Sequence, residues 1–179
     1  MGLLGRYKFF FAAVITLFFF LYSSPVIAAD AKITATKAQL RALFIKKIPK
    51  YVLWPEQAHF KESEKYTVAA IDKEELAPYF DKSESFKLVR WPADDCQVLF
   101  LDSSNPRVIA AILKQVKNKP ILTIGQNPDF LRMGGIINLV ESGSRMKLQV
   151  NICAARKAGL TISSKLLKLS EIFCGDHLE

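Results

Sequence analysis

Two nearly unbroken apolar runs, Cys96-Gln97-Val98-Leu99-Phe100-Leu101 and Pro120-Ile121-Leu122-Thr123-Ile124-Gly125, constrain this chain more than any other feature. A strand that is apolar on both faces must be covered on both faces, which is the situation of a parallel sheet between helices. The first run stops at Asp102-Ser103-Ser104, and Pro106 then opens a segment reaching Lys117. Proline suits the first turn of a helix. Val108, Ile109, Ile112, Leu113 and Val116 give that helix an apolar stripe, so the three segments form a βαβ unit.

The rest of the chain extends this pattern without a linker or repeat. Thr36 to about Leu53 places Leu40, Leu43, Phe44, Ile48 and Val52 at near-helical spacing, with Thr36 as N-cap and Trp54-Pro55 as stop. Pro49 should kink that helix or end it early. Residues 66–71 and 86–91 read as short strands, with a short helix over 74–80 between them. Ile136 to Val140 and Met146 to Val150 flank Glu141-Ser142-Gly143-Ser144-Arg145, a turn signal, and read as an antiparallel hairpin at the sheet edge. A short helix near 154–158, a stop at Gly159 and an amphipathic helix over 163–172 complete the chain. The expected fold class is α/β: one domain, a mainly parallel sheet of strands near 66–71, 87–91, 96–101, 120–124, 136–140 and 146–150, and helices on both faces.

At the N-terminus, Arg6 and Lys8 precede an apolar run from Phe9 to Tyr22, then Ser23, Ser24, Pro25 and Val26-Ile27-Ala28-Ala29. A spanning helix needs about 20 apolar residues, whereas a short run behind a basic start and before small residues fits a secretory signal. Residues 1–29 are therefore expected to be a cleaved signal peptide, with an uncleaved anchor as the alternative, and residues 30–179 the mature α/β domain in a periplasm. With Arg6 and Lys8 set aside, 23 basic residues face 17 acidic ones, a net charge of +6. The basic residues are scattered and form no tail, so nucleic acid is not an expected partner. An anionic lipid or acidic protein surface fits better.

Catalytic chemistry is hard to assemble. The chain has no G-x-S-x-G, H-E-x-x-H, Walker loop, G-x-G-x-x-G or C-x-x-C. His59 and His177 have no companion at ligand spacing. Asp94-Asp95 and Glu74-Glu75 are adjacent, so their side chains diverge. Gly134-Gly135 reads as a tight turn or bulge before a strand. No catalytic residue, metal or cofactor is assigned. Open α/β sheets bind ligands beyond the carboxyl ends of their strands, which here points to Asp72, Ser103, Ser104 and Gln126 as ligand-site candidates. Cys96 begins a buried strand and reads as a free core thiol. Cys153 and Cys174 can pair if the final helix folds back on the sheet, and such a loop closure is worth about 3 kcal/mol in the chain-entropy picture.

Trp54-Pro55, Cys96 to Phe100, Pro120 to Gly125, Phe130 before Gly134-Gly135-Ile136-Ile137-Asn138, Leu148 to Asn151 and the run from Ala154 to Leu169 together resemble the YfiR family of small exported bacterial proteins. The resemblance spans nearly the whole mature chain. It implies a single Rossmann-like domain, a homodimer, and a regulatory role in which the periplasmic sensor domain of an inner-membrane diguanylate cyclase is bound and held inactive, or in which a sensor kinase is served. Two departures stand out. The best-known member has cysteines flanking the Gly-Gly strand, where this chain has Leu131-Arg132-Met133 and Ile136 to Val140. Some members pair the thiol matching Cys96 with one in the first strand, where this chain has Thr67-Val68-Ala69, which agrees with a free Cys96.

Three function classes follow. The first is an interaction protein that represses a membrane signalling enzyme, supported by export, missing catalytic motifs and the resemblance. Its expected surface is Tyr51 and Trp54 at the end of the first helix with Arg156, Ser163 and Lys165, because both segments belong to the family pattern and Trp, Tyr and Arg dominate interface hot spots; the alternative is that Trp54 before Pro55 caps the core. The second is a small-ligand sensing module feeding a histidine kinase. The third, an enzyme, lacks a nucleophile, base and orienter.

Overall fold

The computed structural model describes residues 36–56, 65–143, 145–174 and 177–178. The expected signal segment and His59 lie outside the described residues. The chain runs α1 (Lys37–Lys47), a 3-10 turn (Ile48–Tyr51), β1 (Val52–Leu53), β2 (Tyr66–Ala70), α2 (Ala77–Phe80), β3 (Phe86–Arg90), β4 (Val98–Leu101), α3 (Pro106–Val116) and β5 (Leu122–Gly125). It continues through β6 (Ile137–Ser142), β7 (Arg145–Asn151), α4 (Ile152–Lys157), β8 (Thr161–Ile162), α5 (Ser164–Leu167), β9 (Ser170–Cys174) and β10 (His177–Leu178). Among these described residues no helix is long and apolar enough to cross a membrane.

Eight strands form one sheet in the order β10-β9-β7-β6-β5-β4-β2-β3, and all six strands expected from the sequence are in it. The pairings from β3 through β6 are parallel, as is β7 with β9, while β6–β7 and β9–β10 are antiparallel. The α/β class is as the apolar runs dictate. From β2 the chain steps outward to β3 and then back across to β4, so β2 is where the winding direction reverses. Right-handed crossovers require the two connections to lie on opposite faces of the sheet. Accordingly Val68, Ala70, Val98, Phe100, Leu122 and Ile124 pack under α1, α2, α4 and α5, whereas Ala69, Leu99 and Leu101 pack under α3.

Several local expectations hold. The Thr36 Oγ1 accepts from Gln39 N–H at 3.1 Å and caps α1. The α-helix gives way to a 3-10 turn at Ile48-Pro49, where proline cannot donate. The α3 stripe of Ile109, Ile112, Leu113 and Val116 is buried.

Other expectations are corrected. Val108 stands at the margin of the α3 stripe and is 38% exposed. In α1 the buried phase is Ala42 and Ile45, leading on to Ile48, and Leu43 points outward. That helix does not reach Leu53, because Val52 and Leu53 pair with Ile162 and Thr161 as a separate two-stranded ribbon. The helix expected over 163–172 is one turn long: Leu148 to Asn151 offer a free ladder edge, and Ser170 to Phe173 take it in parallel register. The Ser170 hydroxyl donates to the Leu166 carbonyl at 2.7 Å, which occupies a helix-end acceptor as the chain turns into the strand. The β6–β7 hairpin is antiparallel as expected, with β9 and β10 beyond it in the sheet.

Candidate functional site

Two regions draw the singled-out residues together, and they differ in chemistry. The first is the β1–β8 ribbon. Val52 and Ile162 turn into the core while Leu53 and Thr161 turn out, as period-two alternation requires. The Ser163 N–H donates to the Tyr51 carbonyl at 2.8 Å, which ties the end of the first helix to the start of α5. The Ser163 hydroxyl accepts from the Lys165 N–H at 3.3 Å as the α5 cap, so its role there is local. Lys165 and Arg156 are exposed, and Arg156 sits in the last turn of α4, three residues before Gly159, whose Cα faces the Pro55 ring.

Trp54 takes the core-capping side of the two alternatives expected for it. It is half-buried, its ring lies 5.8 Å from that of Tyr66, and Tyr66 stacks on Phe86 at 5.5 Å. The exposed apolar groups next to it in the chain are Tyr51 and Leu53, the latter 68% exposed. Sequence reasoning missed Leu53 because it took residue 53 for the end of a helix; the alternation is visible only once the ribbon pairing is known.

The second region lies beyond the carboxyl ends of the parallel strands. Asp72 follows β2, and its carboxylate accepts from the Glu74 N–H at 3.1 Å, closing a turn. Hydrogen bonds from Glu74 hold its carboxyl below the ordinary range. Asp102 follows β4; burial, with Asp72 and Glu75 nearby, pushes its carboxyl up. The Ser103 hydroxyl accepts from the Asn105 N–H, and Asn105 caps α3 through Arg107 N–H, so Ser103 serves the start of that helix. Ser104 is exposed in the same loop.

Gln126, immediately after β5, lines a pocket of about 450 Å³ with Arg41 from α1, Asn138 from β6 and Gln149 from β7. Glu75 connects the two halves of this crevice: Arg41 Nη1 contacts both of its oxygens at 3.0 Å, and Arg41 Nη2 reaches Glu141 at 3.2 Å. Lys37, then Arg41, holds the Glu141 carboxyl below its ordinary range. Asp72, Ser103 and Ser104 do not line the pocket; Gln126 does. Arg41 and Asn138 were missed, although an Asn inside the apolar run Ile136-Ile137-Asn138-Leu139-Val140 is a signal in itself.

A second groove, of about 640 Å³, has residues of both α3 and α4 in its lining, with Cys153 and Cys174 among them. The two are joined as a disulfide spanning 21 residues, which fastens β9 to the start of α4. Cys96 is buried and free, and burial pushes its thiol up to about 11. Among the described residues no group of three or more His, Cys, Asp or Glu side chains is arranged to hold a metal ion.

No curated protein matches the chain. A family model does, over residues 38–171, from the second residue of α1 into β9. Its coverage takes in both the ribbon and the crevice, and the chain belongs to the YfiR/HmsC-like family.

Proposed function

We propose that this chain is an exported regulator, made with a cleaved signal over residues 1–29, that binds the periplasmic sensor domain of an inner-membrane diguanylate cyclase and holds the enzyme inactive. It acts as a homodimer and without catalysis of its own. Membership of a regulatory family supports this reading, and so does the absence of any motif for a nucleophile or cofactor in the sequence. The observation that carries it is the ribbon surface: Tyr51 and Leu53 lie exposed on a strip joined by backbone hydrogen bonds to a segment whose exposed side chains include Lys165.

An exposed apolar strip beside cations is suited to an acidic partner with apolar anchors of its own. Trp54 is half-buried and packs against Tyr66, which makes it a poor test residue. Leu53→Asp with Arg156→Glu alters only exposed side chains, so the double variant should keep its melting transition within about 1 kcal/mol of wild type. It should fail to co-purify with the cyclase and should raise cellular cyclic-di-GMP to the level of cells lacking the gene. A folded double variant that still represses would refute the assignment of this surface. Unchanged cyclic-di-GMP in the gene deletion would refute the cyclase as partner and favour a sensor kinase.

A further inference from the structure

We propose that the pocket behind Gln126 is a binding site for a small neutral sugar, a mono- or disaccharide, a site that does not depend on the partner surface above. The pocket opens at the end of β5, where the chain leaves the sheet after Gly125 while β6 runs on through Glu141. A step of this kind beyond strand carboxyl ends is where open α/β sheets take ligands.

The polar groups lining it are incompletely used. Asn138 is 1% exposed, and its Nδ2 donates to Gln149 Oε1 at 3.2 Å, yet its Oδ1 has no partner among the described residues. The same holds for Gln126 Nε2 and for Arg41 Nε, both buried atoms. One acceptor and two donors are therefore left over in one pocket. A buried polar group without a hydrogen bond costs about 1–3 kcal/mol, so three together point to a ligand that completes them.

Charge decides which ligand. Arg41 is held on one nitrogen by both oxygens of Glu75 and on another by Glu141, which also binds Lys37 at 2.6 Å. Two cations thus meet two carboxylates, so what Arg41 still offers is N–H donors on a guanidinium whose charge is already balanced, the buried Nε–H among them. An anion would find no net positive charge, and a cation no free carboxylate. What remains is a neutral molecule rich in groups that donate and accept at once, and hydroxyls do both. Pro128 and Val140 add an apolar wall suited to the C–H face of a pyranose ring, and the volume of about 450 Å³ falls in the range of small-ligand sites.

The test is titration of the purified chain, followed by the side-chain amide NMR signals and by calorimetry, with glucose, galactose and N-acetylglucosamine as neutral probes and glucuronic acid and glucosamine as charged ones. The expected result is saturable binding of at least one neutral sugar that shifts the Asn138 and Gln126 amide signals, with the charged sugars roughly tenfold weaker or worse. Asn138→Leu should abolish that binding while leaving the fold intact, and Gln126→Met, a milder change at a less buried position, should weaken it roughly tenfold. If none of the neutral sugars binds, if a charged sugar binds more tightly, or if both variants bind like wild type, the proposal is overturned. Loss of cyclic-di-GMP control alone would bear on the partner surface and not on this site.

Discussion

At the scale of single residues, the crevice beyond the strand ends collects groups whose ionisation is displaced by their surroundings. Asp102 is the clearest case. Burial, with the charges of Asp72 and Glu75, raises its carboxyl above the ordinary 3.8, so the folded chain holds that proton more tightly than the unfolded one. The resulting stabilisation is complete below the ordinary carboxylate value and is lost as pH rises through the raised one. Asp102→Asn removes the charge that the fold disfavours. The variant should melt at a higher temperature than wild type at pH 7, with the gap closing as pH falls toward 4, in scanning calorimetry across that range; a variant that is less stable at pH 7 would contradict the assignment. Asp102 was legible in the sequence only as the end of a strand, because its proximity to Asp72 and Glu75 depends on three segments meeting at the reversal point of the winding. Gln126 was legible for a better reason, since the residue after a buried parallel strand has a fixed place in such a fold.

At the scale of elements, sequence legibility followed burial. Strands β4 and β5, buried at every position, are readable from their runs alone. The segment over 163–172 misled, since Leu166, Leu167 and Leu169 imitate a helical stripe over a span too short to distinguish from a strand entry. The choice was made by the open edge of β7 and by the Cys153–Cys174 bond, neither of which is local. The motif Phe130 to Gly135 shows the reverse situation, where an apparent turn signal has a packing reason. The Phe130 ring is fully buried between Gly125 and Gly135, and a Cβ built on either glycine would overlap ring atoms. Glycine is required there to let an aromatic ring lie flat on two backbones at the junction of β5 and β6. Gly135→Ala should therefore cost about 1–3 kcal/mol, the usual penalty for overpacking, and should be read as a lowered urea midpoint at unchanged slope. A neutral effect would mean that the ring moves aside freely.

At the scale of the whole molecule, the sheet has two unequal faces and, at β3, a charged edge. One face carries α1, α2, α4 and α5 over the larger core, and the other carries α3. Edge strand β3 presents exposed Lys87 and Arg90, charges of the kind that discourage edge-to-edge pairing. The ribbon of β1 and β8, which lies outside the main sheet, brings Leu53 to solvent next to Tyr51, and Lys50, Arg156, Lys165 and Lys168 on the flanking segments are exposed. These cations give the proposed partner surface a positive character. Charge of this kind acts on the encounter more than on the bound complex, and it is screened beyond a Debye length of about 8 Å at physiological salt. Association with the cyclase sensor domain should therefore slow as sodium chloride rises from about 50 to 500 mM while dissociation changes little, because the apolar contacts of Tyr51 and Leu53 are insensitive to screening. Surface plasmon resonance at a series of salt concentrations checks this. Lys165→Glu should flatten the salt dependence of the on-rate. An on-rate that is constant with salt, or a salt effect confined to dissociation, would show that the cations around the ribbon do not face the partner.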